Sequence, residues 1–438
     1  MKKKVLIVLA ITILITMCGI VVMMMRNNEK KDKDKEKETY TQADATRFWQ
    51  VVTKEPTIEP TIEPTPTVEV TMSPTTEPTP IEKVTMSPTT EPTPTAKVTE
   101  VPTIKPSPQV TEASTKAPTK APTKNPTKTK KPIVLDEDKT SGKLKVVGKQ
   151  LTDGKGNKIV LKGVSTHGLS WFPQYVDKKL FKELKENWSI NTIRLAVYTD
   201  DYNGYCVGGE DNKKTLKKVV KEGVKYATDL DMYVIIDWHV LNDQNPNKYK
   251  EQAIDFFREM SKEYANYDNV IYEICNEPNS GTTWNDIKAY ANEIIKVIRK
   301  NNPDAIVIVG TPTWSQDVDI VADSPLDYDN VLYALHFYAN THGQFLRDKL
   351  QVALNKGLPI IVSEFGICDA SGQGAVNVPE ADKWMEMLKD NSISYCVWNI
   401  SNKGETCALI KSDVNKTNGF KQNDLTESGK WFYDYMHK

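Results

Sequence analysis

Ile271-Tyr272-Glu273-Ile274-Cys275-Asn276-Glu277-Pro278 reads as an apolar strand that ends in an amide, a carboxylate and a proline. Proline has no N–H to give a ladder, so pairing stops there and Glu277 falls at a rim. Leu358-Pro359-Ile360-Ile361-Val362-Ser363-Glu364-Phe365-Gly366 repeats the arrangement, with Glu364 at its end. Working outward, further strand ends fall near His167, Thr199, His239, Gly310, Tyr338 and Asn399, roughly 26 to 40 residues apart, the length of a βα unit. Between them, residues 178–187, 213–229, 249–264, 284–300, 344–356 and 379–390 carry apolar side chains at three- and four-residue spacing and predict helices. A hairpin should open the module within 144–164, with Asp153-Gly154 and Gly156-Asn157 as its turn chemistry. This predicts an α/β fold, a (β/α)8 barrel over 140–438, whose site lies at the carboxyl ends of the strands. An open doubly wound sheet would carry a Gly-rich loop after its first strand, and Thr166-His167-Gly168-Leu169-Ser170-Trp171 cannot serve as one.

The chain has 438 residues and a net charge of −1, which favours neither nucleic acid nor a polyanionic substrate. Behind Lys2-Lys3-Lys4, residues 5–25 contain no charge and are long enough to cross a hydrocarbon core. The lysines predict a cytoplasmic N-terminus with the rest exported. Residues 1–25 are read as either a signal peptide or a membrane anchor, 26–52 as a charged juxtamembrane segment, and 53–132 as a disordered Thr/Pro-rich stalk with an internal repeat (70–80 and 84–94). The expected location is extracellular, secreted or tethered to the cell surface. Six cysteines show no CxxC and no metal-like spacing, and Cys275 and Cys396 read as core residues.

The strand ends carry an unusual set of side chains: His167 and Trp171, Arg194 and Tyr198, Asp237 and His239, Asn276 and Glu277, Trp314, His336 and Tyr338, Glu364, and Trp398. Each taken singly is a satisfied charge or a core ring, but strands of a closed barrel aim their ends at one basin. A barrel metal site would want a His-x-His pair on the first strand, and only His167 stands there; Asp237 and His239 are expected to orient each other. No G-x-S-x-G elbow is present. Two carboxylates with interleaved aromatic rings suit glycoside hydrolysis, in which one acid protonates the leaving oxygen and the other group attacks or activates water. No metal and no cofactor are expected.

On these stretches, together with Asn191-Thr192-Ile193-Arg194, Thr313-Trp314-Ser315-Gln316-Asp317, Leu335-His336-Phe337-Tyr338 and Trp398-Asn399-Ile400-Ser401-Asn402-Lys403-Gly404-Glu405, the chain from residue 143 onward resembles glycoside hydrolase family 5 and its bacterial endo-1,4-β-glucanases. The resemblance implies Glu277 as general acid/base and Glu364 as nucleophile of a retaining reaction. It implies that Arg194 and Tyr338 hold Glu364 ionised, that His336 lies beside Glu277, and that Asn276 binds the 2-hydroxyl of the cleaved sugar. His167, His239, Trp171, Tyr198, Trp314, Trp398, Lys403 and Glu405 would line the glucan path. It also implies a cis peptide between Trp398 and Asn399. The partner would be a β-glucan polysaccharide, the catalytic module would act as a monomer, and mannan or xylan would be the nearest rival substrates. A non-catalytic glucan-binding role is disfavoured, because binding alone has no use for a paired acid and nucleophile.

Overall fold

Why the chain closes into a barrel is visible in its strand register. The computed structural model describes residues 142–438; the leader, charged segment and Thr/Pro-rich stretch read in the sequence lie outside the described residues. Strands β1 (Leu144–Val147) and β2 (Gln150–Asp153) form an antiparallel hairpin. Its turn is at Gly148-Lys149 rather than at Asp153–Asn157 as expected, because Gly148 supplies the positive φ of 57° that a two-residue loop needs. Asp153 closes the next turn instead, its Oδ1 accepting from the N–H groups of Lys155 and Asn157.

Then come β3 (Lys162–Thr166), α1 (Lys178–Trp188), β4 (Thr192–Tyr198), α2 (Glu210–Asp229), β5 (Tyr233–His239), α3 (Lys250–Glu263), β6 (Val270–Glu273), α4 (Trp284–Arg299) and β7 (Val307–Val309). They are followed by β8 (Val331–Tyr338), α5 (Gln344–Asn355), β9 (Ile360–Gly366), α6 (Val378–Asp390), β10 (Ser394–Ile400) and α7 (Glu427–Met436). The strands β3 to β10 pair in parallel and in chain order, and β10 returns to β3, so the sheet is closed. The expected barrel is therefore the observed one. The helices match the periodicity to within a few residues. Helix α2 begins earlier than predicted, after Gly209 at φ 83°, because Glu210 and Asp211 favour the positive end of its dipole. Helix α7, capped by Thr426, was not foreseen. No helix among the described residues is long and apolar enough to cross a membrane.

Alternation along each strand sorts the side chains. In β5, Val234, Ile236 and Trp238 pack outward under the helices. Tyr233 and Ile235 point inward, where they meet Ile271, Ile308, Leu332 and Ile361. Leu144 and Leu151 of the hairpin join this inner cluster and plug the amino-terminal mouth. One residue breaks the alternation usefully. Strands β8 and β9 pair Ala334 with Ile361 and next His336 with Glu364, so β9 spends three residues where β8 spends two. Such a bulge re-aims side chains, and here it lets the consecutive Ser363 and Glu364 both reach polar partners inside the barrel.

Candidate active site

Arg194 lies on β4, fully buried, four residues below the rim residue Tyr198. Its guanidinium makes four hydrogen bonds: Nε donates to Glu273 Oε2 (2.7 Å), Nη1 to Glu364 Oε2 (3.1 Å) and Ser165 Oγ (3.3 Å), and Nη2 to Asn276 Oδ1 (2.6 Å), while Nη2 also pairs with the charge of Asp237 Oδ2 at 3.0 Å. Three buried acids thus share one positive charge, with Glu277 as a fourth acid alongside. In so dry a place the set cannot ionise completely, and at least one proton must stay behind.

Partners decide where it stays. Glu364 faces two donors, Arg194 Nη1 and the hydroxyl of Tyr338, which reaches Glu364 Oε1 at 2.7 Å. Glu277 faces His336, whose Nδ1 is 2.9 Å from Oε1. Burial pushes Glu277 up to about 8, against the pull of Arg194, and burial pulls His336 down to about 4. Between those values the imidazole is neutral and the carboxyl holds its proton. Burial, then the neighbouring Glu277, also lifts Glu364 above its ordinary value, with His336 and Arg194 opposing. The expectation that Arg194 and Tyr338 hold Glu364 charged rests on these two donors, which favour its ionised form against the effect of burial and which Glu277 lacks.

One oxygen from each of Glu277 and Glu364 and a nitrogen of His336 lie within 4.8 Å of one another. That spacing suits an ion as well as a proton. Both nitrogens of His336 are engaged, Nδ1 with Glu277 and Nε2 with Ser363 Oγ (2.9 Å), and a guanidinium already supplies positive charge at Glu364. The hydrogen bonds account for the cluster.

The remaining predicted residues gather around this pair. On one side His167, Tyr198, His239 and Trp398 form a continuous aromatic floor, with Tyr198 and His239 centroids 4.0 Å apart and Trp398 stacked on His239 at 5.4 Å. Trp171 meets Tyr198 edge-on at 4.7 Å, and its indole N–H is held by Tyr202 O. The Trp398–Asn399 peptide is cis, as the resemblance implied. His239 donates through Nδ1 to Asp237 (2.6 Å), the mutual orientation expected of that pair. Asn276 is turned inward, its amide shared between Arg194, His239 Nε2 and Val240 O. Lys403 presents its ammonium at the rim, 2.6 Å from Glu405 and 3.1 Å from His167 Nε2. Glu405 itself is nearly buried and is fixed by Asn399 Nδ2, so it anchors Lys403 rather than reaching along the cleft.

Trp314 stands on the other side, in a turn where Thr313, Trp314 and Ser315 all have φ between 54° and 57°. Three consecutive non-glycine residues in the left-handed region are costly and persist only where neighbours over-determine them. Here Trp314 N–H donates to Pro278 O, and Ser315 Oγ donates to Asn276 O at 2.6 Å, so the turn is tied to the segment carrying Glu277. The indole Nε1 has no partner.

Two features differ from the sequence reading. Strand β6 stops at Glu273, and Glu277 sits beyond it in extended backbone held by Glu277 N–H to Val240 O and Gly310 N–H to Cys275 O. A side chain at Gly310 would collide with Cys275 O (2.5 Å) and Asn276 O (2.8 Å), which is why the facing strand ends in glycine. Glu273 and Ser363 were missed as site residues. Counting by twos from Ile271, which faces inward, would have placed Glu273 inside the barrel; nothing in the sequence marks the bulge that brings in Ser363.

One acid and one carboxylate facing each other across a shared cleft, each held in its state by its neighbours, is the working arrangement of a two-carboxylate glycoside hydrolase on a barrel. Comparison with known proteins agrees. Residues 152–404 match the model of the cellulase family, glycosyl hydrolase family 5. Endoglucanase A of Butyrivibrio fibrisolvens is 53% identical over 296 residues, covering 67% of this chain and 68% of that protein. An endoglucanase of Clostridium saccharobutylicum is 52% identical over 289 residues, covering 66% of this chain and 63% of its own length. Among solved structures, the catalytic domain of Thermobifida fusca endoglucanase Cel5A in complex with cellotetraose superimposes with a TM-score of 0.65 at 33% identity, covering 68% of this chain and 98% of that one. The chain belongs to glycosyl hydrolase family 5 and is a glycoside hydrolase of the cellulase kind.

Proposed function

We propose that this enzyme is a retaining endo-1,4-β-glucanase that cuts internal bonds of cellulose or a related β-glucan by double displacement. The observation that carries the reading is the short approach of Glu277 and Glu364, one oxygen of each within 4.8 Å, which fits the close carboxyl pair of a retaining site. In the first step Glu364 attacks the anomeric carbon while Glu277 gives its proton to the departing glycosidic oxygen. A glycosyl-enzyme ester results. In the second, Glu277, now a carboxylate, takes a proton from water, whose oxygen displaces Glu364 and regenerates both groups.

The aromatic floor of Trp398, Tyr198 and Trp171 supplies flat faces for pyranose rings on one side of the cut, and Trp314 supplies one on the other. His167, His239 and Lys403 offer polar contacts to hydroxyls. Relatives named as endoglucanases support a glucan over mannan or xylan. The apolar 5–25 segment and the Thr/Pro-rich composition of 53–132 support export, with the module secreted or tethered at the cell surface and working as a monomer. Incubation with carboxymethylcellulose, mannan and xylan in parallel, with proton NMR of the first reducing ends from a soluble cello-oligosaccharide, tests both parts. Release from carboxymethylcellulose with an initial β-anomer is expected. An initial α-anomer would overturn retention, and preferential release from mannan or xylan would overturn the substrate.

A further inference from the structure

Beneath His336 lies a chain of fully buried polar groups. Its Nε2 is 2.9 Å from Ser363 Oγ, and Ser363 Oγ is 2.6 Å from Glu273 Oε1. Glu273 Oε2 is held by Arg194 Nε at 2.7 Å, and every member is buried. Hydrogen-bond accounting leaves one solution. A carboxylate paired to a guanidinium accepts and does not donate, so the single hydroxyl hydrogen of Ser363 points to Glu273. The lone pairs of Ser363 then face His336, whose Nε2 must carry the hydrogen. In a neutral imidazole that leaves Nδ1 bare, and the hydrogen between Nδ1 and Glu277 has to belong to Glu277.

We propose that Ser363 and Glu273 are positioning residues whose hydrogen bonds fix the tautomer of His336, so that its bare Nδ1 holds the catalytic proton on Glu277. The inference rests on Glu277 being the general acid, and extends that reading to two residues outside the cleft. The charged and titratable groups facing the Glu277–His336 pair come from five strands: Arg194 and Tyr198 of β4, Asp237 and His239 of β5, Glu273 of β6, Tyr338 of β8, and Glu364 of β9. The depressed basicity of His336 agrees with the neutral ring that the accounting requires.

The test uses the full chain. With histidine labelled by nitrogen-15, His336 should show protonated Nε2 and bare Nδ1 from about pH 5 to 7. A resonance assigned to protonated Nδ1 in the unsubstituted enzyme would overturn the proposal without any variant. Ser363→Ala frees the ring to place its hydrogen on Nδ1 and donate to Glu277, which favours the ionised acid. The alkaline limb of kcat/KM should then move down by about one pH unit and turnover on a β-glucan should fall about tenfold. An aryl cellobioside with a dinitrophenolate leaving group needs no acid in its first step and should lose less than about twofold. Ser363→Thr keeps the hydroxyl and should restore limb and tautomer. An unchanged limb and tautomer in Ser363→Ala, with Glu277→Gln still losing glucan but not aryl-glycoside activity, would refute the relay and leave the acid assignment intact. If Glu277→Gln kept glucan hydrolysis, the acid assignment itself would fall.

Discussion

Glu277 and Glu364 are the same residue type a few ångströms apart, and their neighbours alone separate them. Glu364 accepts from Arg194 and Tyr338, whereas Glu277 gives to His336. Substituting each should expose that difference. Glu364→Ala removes the proposed nucleophile, so hydrolysis of every substrate should vanish, and azide should restore cleavage of an activated substrate by attacking from the vacated face. Glu277→Ala leaves the first step intact where the leaving group departs as a phenolate, so an aryl glycoside should keep at least about a hundredfold more of its activity than cellulose does. Steady-state rates on the two substrate types check this, and the reversed pattern would exchange the roles. Much of this site was legible before any coordinates, because polar and aromatic residues at the ends of apolar runs are conspicuous: Glu277, Glu364, Arg194, His336 and Tyr338 all meet where strand ends were expected to converge. Glu273 and Ser363 were not read because they lie below the rim, inside runs whose other members are apolar.

At the scale of elements, the left-handed turn carrying Trp314 is the least expected feature, and the sequence gives no hint of it. Thr313 is β-branched and poorly suited to a positive φ. Its conformation is held by Thr313 Oγ1 to Asp317 (2.6 Å), by Lys349 to Asp317 (2.6 Å), and by Ser315 Oγ, which accepts from Thr311 N–H and donates to Asn276 O. Ser315→Ala strips one buried carbonyl and one buried N–H of their partner at once. A loss of about 2 kcal/mol is expected by chemical denaturation, each unsatisfied buried group costing on the order of 1 to 3. The turn should also relax, so KM for a cello-oligosaccharide long enough to reach Trp314 should rise severalfold while a short aryl cellobioside is unaffected. The barrel as a whole was readable from period and spacing, since parallel strands buried on both faces are continuous apolar runs. The hairpin turn, the early end of β6 and the β9 bulge were not, because each is set by which backbone groups find partners across the sheet.

For the molecule as a whole, residues 53–132 are rich in Thr, Pro, Glu and Lys with only scattered apolar side chains, too few to build a core, so a chain beginning at residue 133 should keep kcat on a soluble β-glucan to within about twofold; a tenfold loss in folded protein would refute that division. The pH response is also a property of the whole. Four histidines are held neutral by burial, His167 and His239 at about 3 and His336 and His342 at about 4, all below their ordinary 6.5. Their folded values are depressed, so the unfolded chain binds more protons and stability is lost as pH falls from 6.5 through about 4 and on to about 3. The buried acids act in the opposite sense. Glu277 rises from 4.5 to about 8, Asp237 from 3.8 to about 7 and Asp243 from 3.8 to about 6, each chiefly by burial. Here the folded chain binds more protons, and the stability present below the ordinary values is lost as pH rises through the folded ones. A maximum in weakly acidic solution, near pH 6, follows. Glu277→Gln separates the catalytic contribution from the rest. The amide keeps the size of the carboxyl and cannot ionise, so below about pH 4 the variant and the parent should melt together. As pH rises from about 4.5 to 8 the parent should fall progressively behind, by several kcal/mol at the upper end, and its glucanase activity should decline as pH passes through about 8 because the acid loses its proton there. Thermal unfolding from pH 4 to 9 with parallel rates on β-glucan checks both, and equal pH dependence in the two proteins would show that Glu277 does not hold the proton.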